Sequence, residues 1–290
     1  MSKNSETVSD RLNRAYDTLT RAERQLASSI LSNYPVSALG SITAVAQDAG
    51  VSTPTVARMV QKLGFKGFPE FQAEVRLELE AKITGPIAKH DSWVGSAPDE
   101  HILNRFTEIV INNIRQSLAQ IEPETFDQSC ELIADTDRRL YIAGGRITRA
   151  LADYFFLHMQ VIRPKVTHVQ SISNAWPHYI LDMNKGDVLV LFDIRRYETS
   201  LLRMAEMAKE RGVEIILFTD QWRSPAAQYA KHSFNCRIEA PSAWDSNAAI
   251  MLLIESVIAQ TQEVNWSSTR PRMEELETYF DRTKTFRKFS

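Results

Sequence analysis

Up to about Leu79 the apolar positions recur at helical spacing and nowhere alternate, so the chain reads as one helix after another with short breaks. Thr20-Arg-Ala-Glu23 is a capping box, in which hydroxyl and carboxylate satisfy the orphan amides of a first turn. It opens a helix whose buried stripe carries Leu26, Ile30 and Leu31. Residues 84–99, TGPIAKHDSWVGSAPD, hold two prolines and two glycines with little periodicity, and read as a linker. Residues 102–121 are helical again and are expected to belong to the second domain. From Arg139 the pattern changes: RLYIAGG, VTHV, DVLVLF and VEIILFTD are short, nearly continuous apolar runs. Between them lie the amphipathic stretches TRALADYFFLHM and TSLLRMAEMAKERG. Strands apolar on both faces and joined by crossover helices predict a doubly wound parallel sheet. Residues 246–262 then read as an apolar helix, and MEELETYFDR as an amphipathic one before the basic tail TKTFRKFS. The expected fold class is α + α/β: an all-α domain over residues 1–82, a linker over 83–100 and an α/β domain over 101–290.

Composition narrows the function classes. A net charge of -2 exerts no global pull on nucleic acid or anionic membrane, so any basic surface has to be local. Cys130 and Cys236, the two cysteines, exclude a disulfide scaffold and a cysteine metal cluster, and fit a reducing cytoplasm. The first residues lack the apolar core of a signal peptide, and the run AAIMLLI is too short to span a bilayer. The six histidines show no metal-ligand spacing, so no metal site is expected, and no cofactor is expected either.

The most specific local signal is SITAVAQDAGVSTPTVARMVQKLGFKGFPEF. A helix from about Ser41 to Ala49 stops at Gly50, Val51 fills the turn, and Ser52 is placed to cap a second helix closed by Gly64. Helix, tight glycine turn, helix is the arrangement that sets a second helix in the major groove. Ala46, Val51, Val56 and Val60 are the expected internal contacts. Thr53, Thr55, Arg58 and Lys62 are expected on the open side. Arg58, Lys62 and Lys66 give this stretch positive charge with no acid between Ala49 and Pro69, as phosphate binding requires. Arg58 is the candidate for a base or phosphate contact, since a guanidinium addresses guanine through two parallel hydrogen bonds. Lys62 and Lys66 are phosphate candidates, and a solvated basic face on an ordinary three-helix bundle is the plain alternative.

LTRAERQLASSIL and the helix-turn-helix stretch through KLGFKGFPEF resemble the N-terminal domain of RpiR-type bacterial transcriptional regulators. The second half resembles their sugar isomerase (SIS) domain. The resemblance implies a regulator that binds operator DNA, expected to be palindromic, as a homodimer or homotetramer, and responds to a small metabolite, commonly a phosphorylated sugar. Laid on the family's Gly-x-Gly-x-Ser turn, Gly144 matches the first glycine and Thr148 the serine, with Gly145 between the first glycine and Arg146, which replaces the second. Where the family has Ser-x-Ser-Gly-x-Thr, this chain has Asp193, Ile194, Arg195, Arg196, Tyr197 and Glu198. Every hydroxyl of that motif is lost, and arginine replaces its glycine.

The altered turn admits two readings. In one, Arg146, Arg195 and Arg196 present guanidinium forks to a carboxylate or phosphate, Asp193 orients one of them or binds a cationic or hydroxylated part of the ligand, and Tyr197 belongs to the same candidate effector site. In the other, Asp193 pairs with an arginine, the remaining charges serve a subunit interface, and the SIS-like domain only oligomerises. Thr148 reads equally as a ligand contact or a helix cap. Asp220, Gln221 and Trp222, and Ser242, Trp244, Asp245 and Ser246, are secondary candidates, with Asp245 or Ser246 placed to cap the helix after them. A sugar-phosphate isomerase is the third alternative. It needs an activated base, and neither Glu198 nor Glu239 is visibly activated.

Overall fold

The computed structural model describes residues 7–94, 101–170 and 175–286. The chain divides into two units, Met1–Ala88 and Lys89–Ser290. The first is built from helices α1 (Val8–Ala15), α2 (Arg21–Ser32), α3 (Ile42–Asp48), α4 (Thr53–Lys62) and α5 (Phe68–Ile83). Their starts are chemically fixed: Thr7 with Asp10 and Thr20 with Glu23 each form a reciprocal capping box, and the Ser41 hydroxyl accepts from the amide of Ala44. Gly50 and Gly64 follow α3 and α4 at φ +63 and +90, the left-handed region where side-chain-bearing residues are strained. Leu12, Leu26, Ile30, Val45, Val56, Met59, Val60, Phe71 and Val75 fill the core between them. Burying each such side chain contributes about 1.5–3 kcal/mol before entropy is charged.

The stretch expected to be a linker is helical over most of its length. Helix α6 (Pro86–Val94) crosses the division between the units, with Pro86 as its first residue, where a missing N–H costs nothing. Residues 95–100 lie outside the described residues.

The second unit continues through α7 (Ile102–Leu118), α8 (Pro123–Ala134), β1 (Leu140–Gly144), α9 (Arg149–Ile162), β2 (Val166–His168), α10 (Trp176–Asp182), β3 (Val188–Asp193), α11 (Thr199–Glu210), β4 (Glu214–Asp220), β5 (His232–Cys236), α12 (Ala248–Val264) and α13 (Trp266–Thr283). The strands form one sheet in the order β2-β1-β3-β4-β5, and every neighbouring pair is parallel. On one face Tyr141, Ala143, Leu189, Leu191, Ile215 and Leu217 pack against Ile180 of α10 and Leu201, Met204, Ala205 and Ala208 of α11. On the other, the rings of Phe155, Phe192, Phe218 and Phe234 form a row from α9 across three strands, with centroids 6.0, 4.9 and 5.1 Å apart. Strand β5 is not apparent in the sequence, because HSFNC has no β-branched run. The last helix begins earlier than MEELETYFDR suggests and carries Pro271 within it. The end of the basic tail, residues 287–290, lies outside the described residues.

Successive connections run to opposite sides of β1, so the order reverses between β1 and β3. Ligands of open α/β sheets sit beyond the carboxyl ends of the strands at such a reversal. The turns after β1 and β3, residues 145–148 and 194–198, lie at that place.

Candidate functional site

In the first unit, helix α4 is clamped from behind. The Gln25 side-chain amide donates to the carbonyl of Ala49 at 2.8 Å, fixing the turn between α3 and α4. The Arg11 guanidinium donates to the Leu63 carbonyl at 3.3 Å and lies 4.7 Å over the Phe65 ring, a cation at the negative end of the helix. This leaves Ser52, Pro54, Arg58, Gln61 and Lys62 exposed on α4 and its N-terminal flank, with Lys66 exposed beyond it. Positions 54, 58 and 61 share one face at helical spacing. Gln61 does not stand out in the sequence by residue type, although its phase relative to Arg58 identifies it.

Two expectations for this helix need correction, and a third residue, exposed as expected, gains a partner. Thr55 is buried, not on the open side: its hydroxyl meets that of Ser52 at 2.9 Å while the residue packs into the core. Ser52 stands at the N-cap position, but its hydroxyl makes no capping bond to the helix. Lys62 is exposed yet committed, its Nζ 2.7 Å from the Glu23 carboxylate. Burial opposes ionisation of Glu23, but Lys62 and the Thr20 amide and hydroxyl outweigh it and hold the carboxyl below its usual range. Thr53 is half-buried at the first turn. Arg58 and Lys66 keep outward side chains, while the Lys66 amide is bonded to Glu70.

In the second unit, the turns after β1 and β3 are stitched to one another. The Thr148 hydroxyl donates to the Phe192 carbonyl at 2.6 Å and accepts from the Gly145 amide at 2.8 Å. Both of these bonds are internal, and neither caps α9, which corrects the reading of Thr148 as a side-chain cap. Gly144 is required by the chain reversal, because a Cβ there would come within 2.6 Å of the Thr148 carbonyl oxygen. Arg146 is exposed, and its amide donates to the Glu198 carboxylate. Arg196 is also exposed, with φ +67, so the backbone keeps the left-handed turn where the family pattern has glycine.

The carboxylates at the strand ends do not pair as expected. Asp193 accepts from the Ser224 hydroxyl and, at 3.4 Å, from the Glu198 amide, and meets no arginine among the described residues. Asp220, fully buried, accepts from the amides of Arg195 at 2.5 Å and Trp222 at 2.8 Å, and from the Tyr197 hydroxyl at 2.8 Å. Tyr197 therefore braces the β4 end through its hydroxyl. Its own ionisation is pushed well upward by burial and by Asp220.

Arg195 is the largest departure from the open guanidinium fork. Its side chain is 5% exposed, lies 4.1 Å over the Trp222 ring, and pairs with Asp245 at 3.4 Å and Glu239 at 3.7 Å. Asp245 in turn takes Lys89 Nζ at 2.5 Å, while Lys89 also donates to the Trp244 carbonyl at 3.1 Å. Asp245 is therefore a counter-ion shared by two cations, not a helix cap, whereas the Ser246 hydroxyl accepts from the Ala248 amide. Trp222 is buried and Gln221 accepts from the amide of Ile238, so both are framework. Lys89 is inconspicuous in the sequence because nothing local marks its partner. Of the three candidate arginines, Arg146 and Arg196 face outward.

Burial raises Asp193 to about 7 and Asp220 to about 6, against the hydrogen bonds that favour their charged forms. In the first unit, burial likewise raises Glu78, which accepts from Tyr34 and the Val8 amide, to about 7. In all three the folded pKa lies above the unfolded one, so between about pH 4 and 7 the folded state binds more protons. Stability is expected to fall as pH rises through this window and to level off above it. Thermal melts at pH 5, 6, 7 and 8 check this, with Asp193→Asn flattening part of the slope; a melting temperature that rises from pH 5 to 7 would contradict it.

The first unit is thus a helix-turn-helix with an outward arginine, and the second a parallel α/β unit whose polar turns lie at a strand-order reversal, the two-part layout of a one-component regulator. Comparison with known proteins gives the family. Residues 7–82 match the helix-turn-helix domain of the rpiR family, and residues 132–260 match the SIS domain. The chain belongs to the RpiR family of transcriptional regulators. It is 25% identical over 211 residues to the HTH-type transcriptional regulator HexR of Pseudomonas aeruginosa, covering 70% of each chain. Its fold is like that of the sugar isomerase domain of an RpiR transcription factor from Sphaerobacter thermophilus (TM-score 0.57, 18% identity, 62% of this chain and 99% of that one). It is also like the NanR protein of Vibrio vulnificus, solved in complex with ManNAc-6P (TM-score 0.54, 15% identity, 94% and 97% of the two chains). Among the described residues no helix is long and apolar enough to cross a membrane, and no cluster of metal-ligating side chains occurs.

Proposed function

We propose that this regulator reads operator DNA with helix α4 and that a small anionic metabolite, gripped by Arg146 and Arg196, changes its affinity for that DNA. One observation carries the effector half: the two arginines are exposed on turns joined by the Arg146–Glu198 hydrogen bond, at the strand-order reversal. Arg196 keeps an uncommon left-handed backbone there, a conformation that sites of function tend to retain. Arg195 serves as framework in this reading. Arg58 and Lys66 supply the DNA half, with palindromic operators and a homodimer or homotetramer bringing two α4 helices to successive major grooves. Linkage requires that an effector which weakens DNA binding is itself bound less tightly by the DNA complex.

A second reading has specific support. The amides of Arg146, Arg195 and Glu198 are all satisfied by carboxylates of the same chain, as in a domain that only oligomerises. Operator binding followed by fluorescence anisotropy, with sugar acids, other small carboxylates and phosphosugars as titrants, separates the two. The effector reading expects one titrant to shift the wild-type midpoint and to have no effect on an Arg146→Ala, Arg196→Ala double variant. A shift that survives in the double variant would overturn the assignment, and no shift with any titrant would favour oligomerisation alone.

A further inference from the structure

We propose that Glu198 is an internal anion which closes the glycine turn after β1 to phosphoryl groups. The turn has the elements of an anion cradle: a Gly144-Gly145 pair, a backbone amide at Arg146, and helix α9 starting three residues later. The Glu198 carboxylate already fills it. One oxygen, Oε1, accepts from the Arg146 amide, and the other, Oε2, accepts from the Ser200 hydroxyl at 3.3 Å.

Gly145 shows that the space is shaped for that carboxylate. A Cβ on Gly145 would stand 2.8 Å from Glu198 Oε1 and 3.1 Å from its carboxyl carbon. The carboxylate thus packs directly against the glycine, and the group lying over the turn belongs to the same protein. Glu198 is in turn held from behind, since its own amide donates to Asp193, and Asp220 takes the Arg195 amide in the same turn. A phosphate seeking the Arg146 amide would have to expel the Glu198 carboxylate and leave its negative charge nearby. Like charges at such separations disfavour each other strongly wherever water is partly excluded.

The position that the family pattern fills with threonine is therefore specificity-determining here. Building on the effector reading above, the ligand is an anion that meets the Arg146 and Arg196 guanidinium groups without entering the turn.

Calorimetric titration of the full-length protein with inorganic phosphate and with glucose 6-phosphate tests this in the absence of DNA. The wild type is expected to show no saturable phosphate binding. Glu198→Ala, which vacates the amide, should bind phosphate at least about tenfold more tightly than the wild type, the change expected when one charge-assisted hydrogen bond is gained. Glu198→Gln, which keeps an acceptor on the amide but drops the charge, should fall between them; circular dichroism establishes that each variant is folded. Wild-type phosphate binding as tight as that of Glu198→Ala would overturn the proposal. So would the absence of any gain in both variants, or in Glu198→Gln alone should the alanine variant not fold. Because phosphate binding is read without operator, failure of the effector reading leaves this result interpretable, and the reverse holds equally.

Discussion

Replacing Asp245 with asparagine is expected to destabilise the α/β unit by about 3–5 kcal/mol, the range seen when a buried ion pair loses one partner. Its carboxylate lies 2.5 Å from Lys89 Nζ and 3.4 Å from Arg195 Nε, and those side chains are 7% and 5% exposed. Asparagine fills the same volume but removes the negative charge that Lys89 and Arg195 share. The more distant Glu239, itself half-exposed and 3.7 Å from Arg195, is too well solvated to compensate. Lys89→Met is the control: it removes one cation while Asp245 keeps Arg195, and should cost less. Urea unfolding of both variants measures the difference, and a loss under about 1 kcal/mol for Asp245→Asn would place the trio among ordinary surface pairs. Lys89 is the first residue of its unit and lies on α6, so the same substitution is expected to speed amide exchange along that helix.

The trio also shows where sequence reading stops. The helix-turn-helix was legible because its determinants are local: the Thr20 and Glu23 box, the glycines at 50 and 64, and the apolar phase of α4 all act within a few residues. The parallel sheet was legible because β1, β3 and β4 carry the unbroken apolar runs LYIA, VLVLF and IILF, as burial on both faces demands. The edge strand β5 alternates between buried and half-exposed positions and pairs with β4 alone, so no continuous apolar run announced it.

At the strand ends, residue type suggested the chemistry but not the partners. Arg195 finds Trp222 after β4 and Asp245 after β5, and Asp193 finds Ser224 in place of an arginine. These contacts depend on which loops the sheet order brings together. Spacing along the chain does not contain them. Thr55 failed for a smaller reason: it lies next to Val56 in the helix and one turn before Met59, and its hydroxyl is satisfied by Ser52, which lets a polar residue face inward.

Arg58→Ala is the second large effect expected, at the level of DNA affinity and without loss of stability. The side chain is exposed on α4, flanked on its face by Pro54 and Gln61, while the back of the helix is held by the Val56, Met59 and Val60 core and by Arg11 at its end. Removing an outward guanidinium that reads a base or phosphate costs about 1–3 kcal/mol of binding. Lys62 is a weaker contributor, since a phosphate would have to compete with Glu23 for its ammonium. Arg58→Ala should therefore cost more than Lys62→Ala.

The measurement that bears most directly on the regulator as a whole is operator affinity on a duplex selected from a random pool by the wild-type protein, determined at one fixed salt concentration. The selected duplex is expected to be palindromic. Arg58→Ala should bind it more weakly by about 1–3 kcal/mol, whereas the Arg146→Ala, Arg196→Ala double variant should bind as the wild type does. Unchanged affinity in Arg58→Ala, with loss confined to the double variant, would contradict the assignment of α4 as the DNA-reading helix.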